Sequence, residues 1–318
     1  MSNNTIEIQN LYKVYKSKKE EIVANNNINF VAQEGEIIAI LGPNGVGKST
    51  FVKQIIGYLS PTSGDIKVLG ESIHGMSRTL ISKIGYMMQS RYSHWDHLTV
   101  KDALFYSGKL KKIPKAEINK QIEYFIDKLD LTNETNRTIG SLSGGKKQAA
   151  AIACSTIGFP EIIILDEPTN GLDPQKRILL WSFLKEINME KNITILLITH
   201  TVNEIEDIAD RVVIMGNGKI LVDGTPQELK SELTDKIRIE FELEKSIGLE
   251  NIEFLKEYFY TWSSDNLKLF VYTSQSDMAK LIEKVFSIKN ISENIKNVQI
   301  YRPTLEDIYI KIMGQKIS

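Results

Sequence analysis

An eight-residue segment, followed by Thr50, reads Gly42-Pro43-Asn44-Gly45-Val46-Gly47-Lys48-Ser49. It lies between a strand-like segment, residues 36–41, which is apolar after Glu36, and a segment at residues 49–58 that we predict to be helical. Glycines allow backbone N–H groups to turn inward around a phosphate chain, and the following helix adds its unpaired N–H groups. Lys48 supplies a positive charge for the outer phosphates, and the Ser49 hydroxyl can bind Mg²⁺. The segment therefore predicts a phosphate-binding loop between a buried strand and a helix.

A pair of acidic residues lies more than 100 residues after this loop. Residues 162–165 are apolar and strand-like, and Asp166 and Glu167 follow them directly. Successive residues at a strand end point apart, so Asp166 can support Mg²⁺ while Glu167 faces the γ-phosphate side and polarises an attacking water. Two acidic residues can also simply end a strand, but their pairing with the phosphate-binding loop favours the metal and base roles.

The order of apolar segments indicates an α/β fold. The segments at residues 36–41, 162–165 and 194–199 contain unbroken apolar runs, at residues 37–41, 162–165 and 195–198, which are typical of parallel strands covered on both faces. Near the N-terminus, apolar side chains alternate instead, at Ile6 and Ile8 and again at Ile28 and Phe30, as they do in antiparallel strands. We therefore expect a parallel sheet flanked by helices, with a separate antiparallel part.

A helical insert and a hairpin complete this part of the chain. Residues 99–132 are predicted to be helical, because apolar side chains recur there at helical spacing on one stripe: Ile118, Ile122, Phe125, Ile126 and Leu129. Later, residues 211–215 and 219–223 flank Asn217-Gly218, and this pair favours a tight hairpin turn.

A domain boundary is predicted near residues 229–235. Beyond it, strands at residues 236–243, 267–273 and 297–301 alternate with helices at residues 252–258, 278–288 and 305–313. We therefore predict two domains, residues 1–230 and a small α+β domain at residues 231–318. The second domain is either a functional module or a stabilising or dimer-supporting cap with no ligand of its own.

Composition narrows the class of protein. The 318 residues are 42% hydrophobic and 25% charged, with a formal net charge of −1, so no strong field attracts nucleic acid. No apolar run approaches the ~18–20 residues of a membrane span, and the first residues lack the pattern of a secretory signal. The single cysteine, Cys154, fits a reducing compartment and is expected to be inert core. We therefore expect a cytosolic protein that binds no nucleic acid.

Further motifs, in their order along the chain, resemble the ATP-binding subunit of an ABC transporter. The residues that carry this resemblance are Tyr15, Gln89 after Ile84-Gly85-Tyr86-Met87-Met88, Leu142-Ser143-Gly144-Gly145-Lys146, Asp166-Glu167-Pro168-Thr169, Gly171-Leu172-Asp173 and His200. The resemblance covers about residues 5–230. It implies a P-loop NTPase core of the ABC type with an antiparallel β subdomain and a helical subdomain at about residues 90–150. It also implies ATP and Mg²⁺ as cofactors.

The same resemblance assigns roles to individual residues. Tyr15 is expected to stack on adenine, while Ser49, Gln89 and Asp166 are expected to hold Mg²⁺. Glu167, His200 and Lys48 are expected to be catalytic. Residues 42–50 are expected to bind the phosphates of ATP.

The resemblance also implies partners. Two subunits pair head to tail, and each presents Ser143, Gly144, Gly145 and the D-loop residue Asp173 to the ATP held by the other. An integral membrane permease places the pair on the cytoplasmic face of the cell membrane. Lys146 stands where the family has Gln, and Ala149 stands where many relatives have Arg. We expect ATP still to bind between the two subunits despite these departures, and we expect the departures to affect the geometry of the helix that follows the signature.

The C-terminal residues 302–309 resemble the tail of export-type ATPases that serve drugs, other lipophilic compounds and polysaccharides. The predicted function is therefore ATP hydrolysis that energises export through a separate membrane subunit. The alternative is a soluble ABC ATPase that acts as a regulatory or translation-associated switch.

Overall fold

The computed structural model describes residues 4–16, 20–88, 95–231, 233, 236–246, 255–263 and 265–314. The chain divides into two compact units, Met1–Asp223 and Gly224–Ser318. In chain order the first unit contains β1 (Asn4–Lys16), β2 (Glu21–Gln33), β3 (Ile37–Leu41), α1 (Lys48–Ile55), β4 (Ser63–Val68), β5 (Glu71–Ser72), α2 (Arg78–Ser82), β6 (Ile84–Met87), α3 (Val100–Leu110), α4 (Lys115–Lys128), α5 (Gly144–Thr156), β7 (Ile162–Asp166), α6 (Pro174–Lys191), β8 (Thr194–Thr199), β9 (Arg211–Gly216) and β10 (Lys219–Gly224).

The main sheet of the first unit has six strands in the order β10-β9-β3-β8-β7-β6. Every residue of β3, β7 and β8 is buried, which explains why these strands are almost entirely apolar, with Asp166, Thr194 and Thr199 only at strand ends. Strand β3 pairs in parallel with β8 and β9, and β7 pairs in parallel with β8 and β6. Leu41 is therefore opposite Thr199, and Asp166 is opposite Ile198. As a result, the segments after β3, β7 and β8 meet at one edge of the sheet.

A second sheet in the same unit has the order β2-β1-β4-β5 and is antiparallel. Ile8 is opposite Phe30, as the alternating pattern predicts. Buried side chains from this sheet and from the parallel sheet form one hydrophobic core with Phe51 and Ile55 of α1. Helix α1 is thus held between the sheets, directly after the phosphate-binding loop.

The helical insert lies between β6 and β7 in the chain and consists of α3, α4 and α5. The predicted apolar stripe is its core, since Ile118, Ile122, Phe125, Ile126 and Leu129 are all at most 7% exposed. The longest helix of the described residues, α6, has 18 residues. No helix in the described ranges has the length and apolar character needed to cross a bilayer.

The predicted hairpin is present and touches the phosphate-binding loop. Asn217 and Gly218 have φ values of 49° and 74°, as a tight turn between β9 and β10 requires. The N–H of Gly218 donates to the carbonyl oxygen of Val46 at 3.1 Å, and its own carbonyl accepts from the N–H of Asn26 at 2.8 Å. The hairpin therefore supports the loop from the side of β9.

The second unit contains α7 (Pro226–Ser231), β11 (Lys236–Leu243), β12 (Phe259–Trp262), β13 (Lys268–Ser274), α8 (Met278–Ser287), α9 (Lys289–Ser292), β14 (Ile295–Tyr301) and α10 (Leu305–Met313). Its antiparallel sheet has the order β12-β13-β11-β14. The prediction of a helix at residues 252–258 is wrong where the structure describes them, because residues 255–257 form only a 3₁₀ turn. Strand β12, which follows, was not predicted.

A buried polar cluster lies on the sheet of this second unit. Asp307 of α10 is fully buried, and its Oδ1 accepts from Arg238 Nη1 at 2.9 Å and from the Tyr272 hydroxyl at 2.6 Å. Its Oδ2 accepts from the N–H of Thr304 at 2.6 Å, which caps the start of α10. This cluster fixes α10 on the sheet.

Candidate functional site

The phosphate-binding loop turns between β3 and α1 and is shaped by its glycines. Gly47 has a φ of 105°, and a Cβ at this position would overlap the carbonyl oxygen of Ala24. Only glycine therefore allows the loop to approach β2 closely and then begin α1 at Lys48. The unpaired N–H groups of the first turn of α1 lie directly behind the loop.

Lys48 is the positive charge of this loop. It is 7% exposed, and its Nζ donates to the carbonyl oxygens of Gly42 at 2.5 Å and Pro43 at 3.0 Å. Burial lowers the pKa of Lys48 below its ordinary value, while the carboxylates of Glu167 and Asp166 oppose this shift. The ammonium group thus lies between the loop carbonyls and two acidic residues, where it can bind an anionic ligand.

Asp166 and Glu167 end strand β7 at the same edge of the sheet. Both are 5% exposed. Burial and the negative charge of Glu167 raise the pKa of Asp166 to about 6, although Lys48 acts in the opposite direction. Glu167 has a left-handed backbone with a φ of 53°, and its N–H donates to the carbonyl oxygen of Ile198 at 2.8 Å. Because the backbone turns at Glu167, the carboxylates of Asp166 and Glu167 are expected to point in different directions.

His200 follows strand β8 and contacts Glu167. Its Nδ1 lies 2.7 Å from Glu167 Oε1, and the Thr199 hydroxyl donates to Glu167 Oε2 at 3.2 Å. Both carboxylate oxygens of Glu167 are therefore held by residues at the end of the neighbouring strand. No sequence signal identifies Thr199, since a threonine at a strand end carries no distinctive pattern.

An open groove of about 280 Å³ runs along the loop and brings most of the predicted ATP residues together. Tyr15 lines this groove; it is 41% exposed, and its hydroxyl is 3.4 Å from Thr50 Oγ1. The residues that line the groove are Tyr15, Ile22, Val23, Ala24, Asn44, Gly45, Gly47, Lys48, Ser49, Thr50, Asp166 and Glu167. The aromatic ring of Tyr15 is of a type that stacks on a nucleotide base, and the loop residues with Lys48 are of a type that binds phosphates.

Two buried amides behind the loop were not predicted. Asn25 and Gln54 are both fully buried, and Gln54 Nε2 donates to Asn25 Oδ1 at 2.7 Å. Asn25 Nδ2 in turn donates to the carbonyl oxygen of Gly47 at 3.3 Å. The pair links β2 and α1 to the tightest point of the loop.

The predicted signature residues lie outside this groove. Ser143 precedes α5 and is exposed together with Gly144, while Gly145 is buried against Leu172.

Asp173 caps α6 by accepting from the N–H of Lys176 at 3.0 Å, and its carboxylate also pairs with the Lys176 ammonium. Within one chain, neither Ser143 nor Asp173 lines the groove that holds Lys48 and Asp166.

The two departures from the family pattern have visible structural consequences. Lys146 forms an ion pair with Asp130 Oδ2 at 2.6 Å and also donates to the Asp130 carbonyl oxygen. This ties the start of α5 to the end of α4. Ala149 lines a small apolar cavity between α5 and α6. The predicted metal ligand Gln89 lies outside the described residues.

Comparisons with known proteins identify the family of this chain. The family described as ABC transporter matches residues 25–170. An uncharacterized ABC transporter ATP-binding protein of Bacillus subtilis, YxlF, is 31% identical over 312 residues, which cover 97% of this chain and 99% of the relative. The chain belongs to the ABC transporter ATP-binding proteins.

Other relatives of this ABC protein extend the comparison. The Nod factor export ATP-binding protein I of Rhizobium leguminosarum is 29% identical over 328 residues, covering 100% of this chain and 97% of the relative. A solved ATP-binding subunit of an ABC transporter superposes with a TM-score of 0.66 at 27% identity and covers 72% of this chain and 92% of its own. A dimeric ATP-binding cassette in a post-hydrolysis state, bound to ADP and Pi, has a TM-score of 0.64 at 27% identity, over 69% of this chain and 98% of its own.

Membership of this family establishes the coarse activity. The ABC protein binds ATP, is an ATPase, and energises transport through a membrane subunit. ATP-binding subunits of this family dimerise and work with membrane permeases. The predicted family, fold class and enzyme activity are thus confirmed.

Proposed function

We propose that this ATPase energises export of a substrate through a separate integral membrane subunit. The support is the full-length similarity to the Nod factor export ATP-binding protein I, which spans the second unit as well as the cassette. The predicted export-type tail, residues 302–309, includes the start of α10 and the buried carboxylate of Asp307. In this proposal residues 1–230 form the ATP-binding domain and residues 231–318 an accessory domain.

The observation that carries the proposed chemistry is the contact between His200 and Glu167 at the edge of the sheet beside Lys48. Glu167 acts as the general base that takes a proton from the water that attacks the γ-phosphate. His200 holds Glu167 Oε1 from 2.7 Å and contacts the γ-phosphate. Lys48, with the loop residues 42–50, binds the phosphates, and Tyr15 stacks on adenine.

The residues present fit Mg²⁺ as the accompanying cation. Asp166 is a buried carboxylate whose pKa is raised to about 6, and a cation beside it would remove that penalty. Mg²⁺ is usually held by one or two carboxylates together with substrate phosphates, so a single carboxylate suffices. Asp166 and Ser49, with Gln89, would hold the ion. When bound, Mg²⁺ neutralises charge on the phosphate oxygens.

The proposed assembly is a head-to-tail homodimer. Ser143 and Gly144 are exposed at the N-terminal end of α5, and a Cβ at Gly144 would meet no atom within 4 Å. An exposed helix N-terminus is suited to bind an anion, so the start of α5 can cap the γ-phosphate of ATP that a second copy of the chain holds. Asp173 belongs to the same surface. The permease would then hold this pair on the cytoplasmic face of the cell membrane, without nucleic acid.

The test uses Glu167→Gln in the full chain. We expect nearly complete loss of hydrolysis, retained ATP affinity, and a stable nucleotide-bound dimer detected by light scattering. Ser143→Arg in the same background is the matched variant, and it should bind ATP as a monomer. Unchanged turnover in Glu167→Gln would refute the base assignment, and a dimer in the presence of Ser143→Arg would refute the head-to-tail assembly.

Export is tested separately by purification of the tagged chain from membranes. A polytopic membrane protein in stoichiometric amount, together with ATP-dependent outward movement of its substrate, is the expected result. Copurification with ribosomes or with a soluble partner in place of a membrane protein would contradict the proposal.

A further inference from the structure

Helix α5 connects two surfaces that belong to different ATP sites in the proposed dimer. Its N-terminal end, at Ser143 and Gly144, is exposed. One and a half turns later, Gln148 is 8% exposed and faces the interior of its own chain. At about 1.5 Å per residue, Ser143 and Gln148 are separated by roughly 7–8 Å along the helix axis.

The side chain of Gln148 reaches the catalytic glutamate. Its Nε2 donates to the backbone carbonyl oxygen of Glu167 at 2.9 Å, a bond that is buried. The same carbonyl accepts from the N–H of Asn170 at 3.3 Å. Gln148 therefore holds the backbone of Glu167, whereas Thr199 and His200 hold its carboxylate.

The backbone of Glu167 needs such support. A φ of 53° is unusual for a residue with a side chain and costs about 1 kcal/mol or more, so surrounding contacts must maintain it. The N–H of Glu167 is fixed to the parallel sheet through Ile198, and its carbonyl is fixed to α5 through Gln148. A small displacement of α5 relative to the sheet would thus rotate the peptide that carries the base.

We propose that Gln148 is a positioning residue that couples the two ATP sites of the dimer, and this rests on the proposed head-to-tail assembly. When the N-terminal end of α5 closes on the ATP of the partner, the same helix sets the backbone of Glu167 in its own chain. Each site therefore acquires a correctly placed base only after the other site has bound ATP. The consequence is positive cooperativity in hydrolysis with little effect on the first binding event.

The experiment compares Gln148→Leu and Gln148→Glu with the wild type in the full chain, reconstituted with its membrane subunit. Neither a leucine nor an ionised glutamate side chain at this position can donate to the Glu167 carbonyl. We expect kcat to fall about tenfold, for the loss of one hydrogen bond at the reacting group, and ATP affinity to stay unchanged. The Hill coefficient for ATP should fall from nearly 2 towards 1, because the proposed coupling between the two sites runs through this contact.

Gln121→Leu is the matched control. Gln121 is a glutamine of α4 with 7% exposure, and its Oε1 accepts from the N–H of Gly158 at 2.6 Å. Neither residue lines the groove that holds Lys48 and Asp166. This variant should lower thermal stability and leave kcat per folded protein and the Hill coefficient at wild-type values. A Gln148→Leu protein that behaves like the control would overturn the proposal, and so would a wild type with a Hill coefficient near 1.

Failure of the assembly itself is detected independently. The double variant Glu167→Gln with Gln148→Leu should still form the ATP-bound dimer, since Gln148 does not touch the partner's nucleotide. If Glu167→Gln alone gives no dimer, the head-to-tail proposal fails. If the dimer forms but Gln148 variants stay cooperative, only the coupling role is refuted.

Discussion

His200 Nδ1 lies 2.7 Å from Glu167 Oε1, and the two residues follow neighbouring parallel strands, β8 and β7. Because the strands are in register, this contact is set by the sheet itself rather than by a long loop. Glu167 is 5% exposed, whereas the His200 side chain is 55% exposed. The histidine is therefore the member of the pair that can move when nucleotide enters.

We expect His200→Ala to lower kcat by about 100-fold, because Glu167 loses the group that orients its Oε1. ATP affinity should remain close to the wild-type value, which a binding titration with a fluorescent nucleotide would measure. His74→Ala is the control, as His74 is exposed. Equal turnover for both variants would contradict the role of His200.

Lys48→Ala should weaken ATP binding by about tenfold or more, because charge-assisted hydrogen bonds to phosphate are worth roughly 1.5–3 kcal/mol. The exposed Lys67 provides the comparison, and Lys67→Ala should bind normally. The measurement is equilibrium ATP binding with and without Mg²⁺. Wild-type affinity in Lys48→Ala would show that the groove is not the ATP site.

Asn25→Leu should destabilise the protein by about 1–3 kcal/mol, because the Gln54 amide loses its buried partner. The double variant Asn25→Leu with Gln54→Leu removes both amides and should recover part of this loss. Urea unfolding, followed for the first unit, would give the free energies of unfolding of the wild type, the single variant and the double variant. A strictly additive double variant would argue against a direct interaction between the two residues.

Arg238→Met should destabilise the second unit by about 3–5 kcal/mol, since it leaves the carboxylate of Asp307 buried without its cation. Adding Asp307→Asn should restore part of that stability. Lys289→Met, which removes an exposed ion pair with Glu293, should change stability by less than about 1 kcal/mol. Calorimetry that resolves the two units would test the difference.

Lys111 provides a prediction about pH. Its Nζ donates to the carbonyl oxygens of Ser155 at 2.8 Å and Ile157 at 2.7 Å, and burial lowers its pKa from 10.5 to about 8. The unfolded chain therefore binds more protons than the folded one between these values, so stability rises with pH in this window. Relative to Lys111→Met, the wild type should gain up to about 3 kcal/mol between pH 8 and 10.5.

The control for this prediction is Lys109→Met, since Lys109 is exposed on the preceding helix. Its unfolding free energy should follow the wild-type pH dependence in parallel. If the unfolding free energy of Lys111→Met also ran parallel to that of the wild type over this pH range, Lys111 would have its ordinary pKa in the folded protein.

The phosphate-binding loop and the strand ends could be predicted because their signals are local. Gly47, Lys48 and Ser49 form a fixed spacing, and the apolar runs before Asp166 and His200 identify buried parallel strands. The carboxyl edges of such strands lie together, so the approach of Glu167 to His200 follows from the topology.

Other contacts could not be predicted because they depend on tertiary packing. Asn25 and Gln54 are 29 residues apart, and nothing in either segment indicates that their amides meet. Strand β12 has four residues, which is too short to show a period, so its aromatic side chains were not recognised as a strand. Gln148 was detectable in principle, as a polar residue on the buried side of a helix of small residues.

Cys154 gives the protein a practical property. It is the only cysteine of the sequence, it is 6% exposed, and burial raises the pKa of its thiol to about 12. A thiol that is buried and protonated reacts slowly with maleimides or spin labels. A cysteine introduced at an exposed position could therefore be labelled selectively without removing the native one. Spectroscopic distances between such labels could then be measured in each nucleotide state.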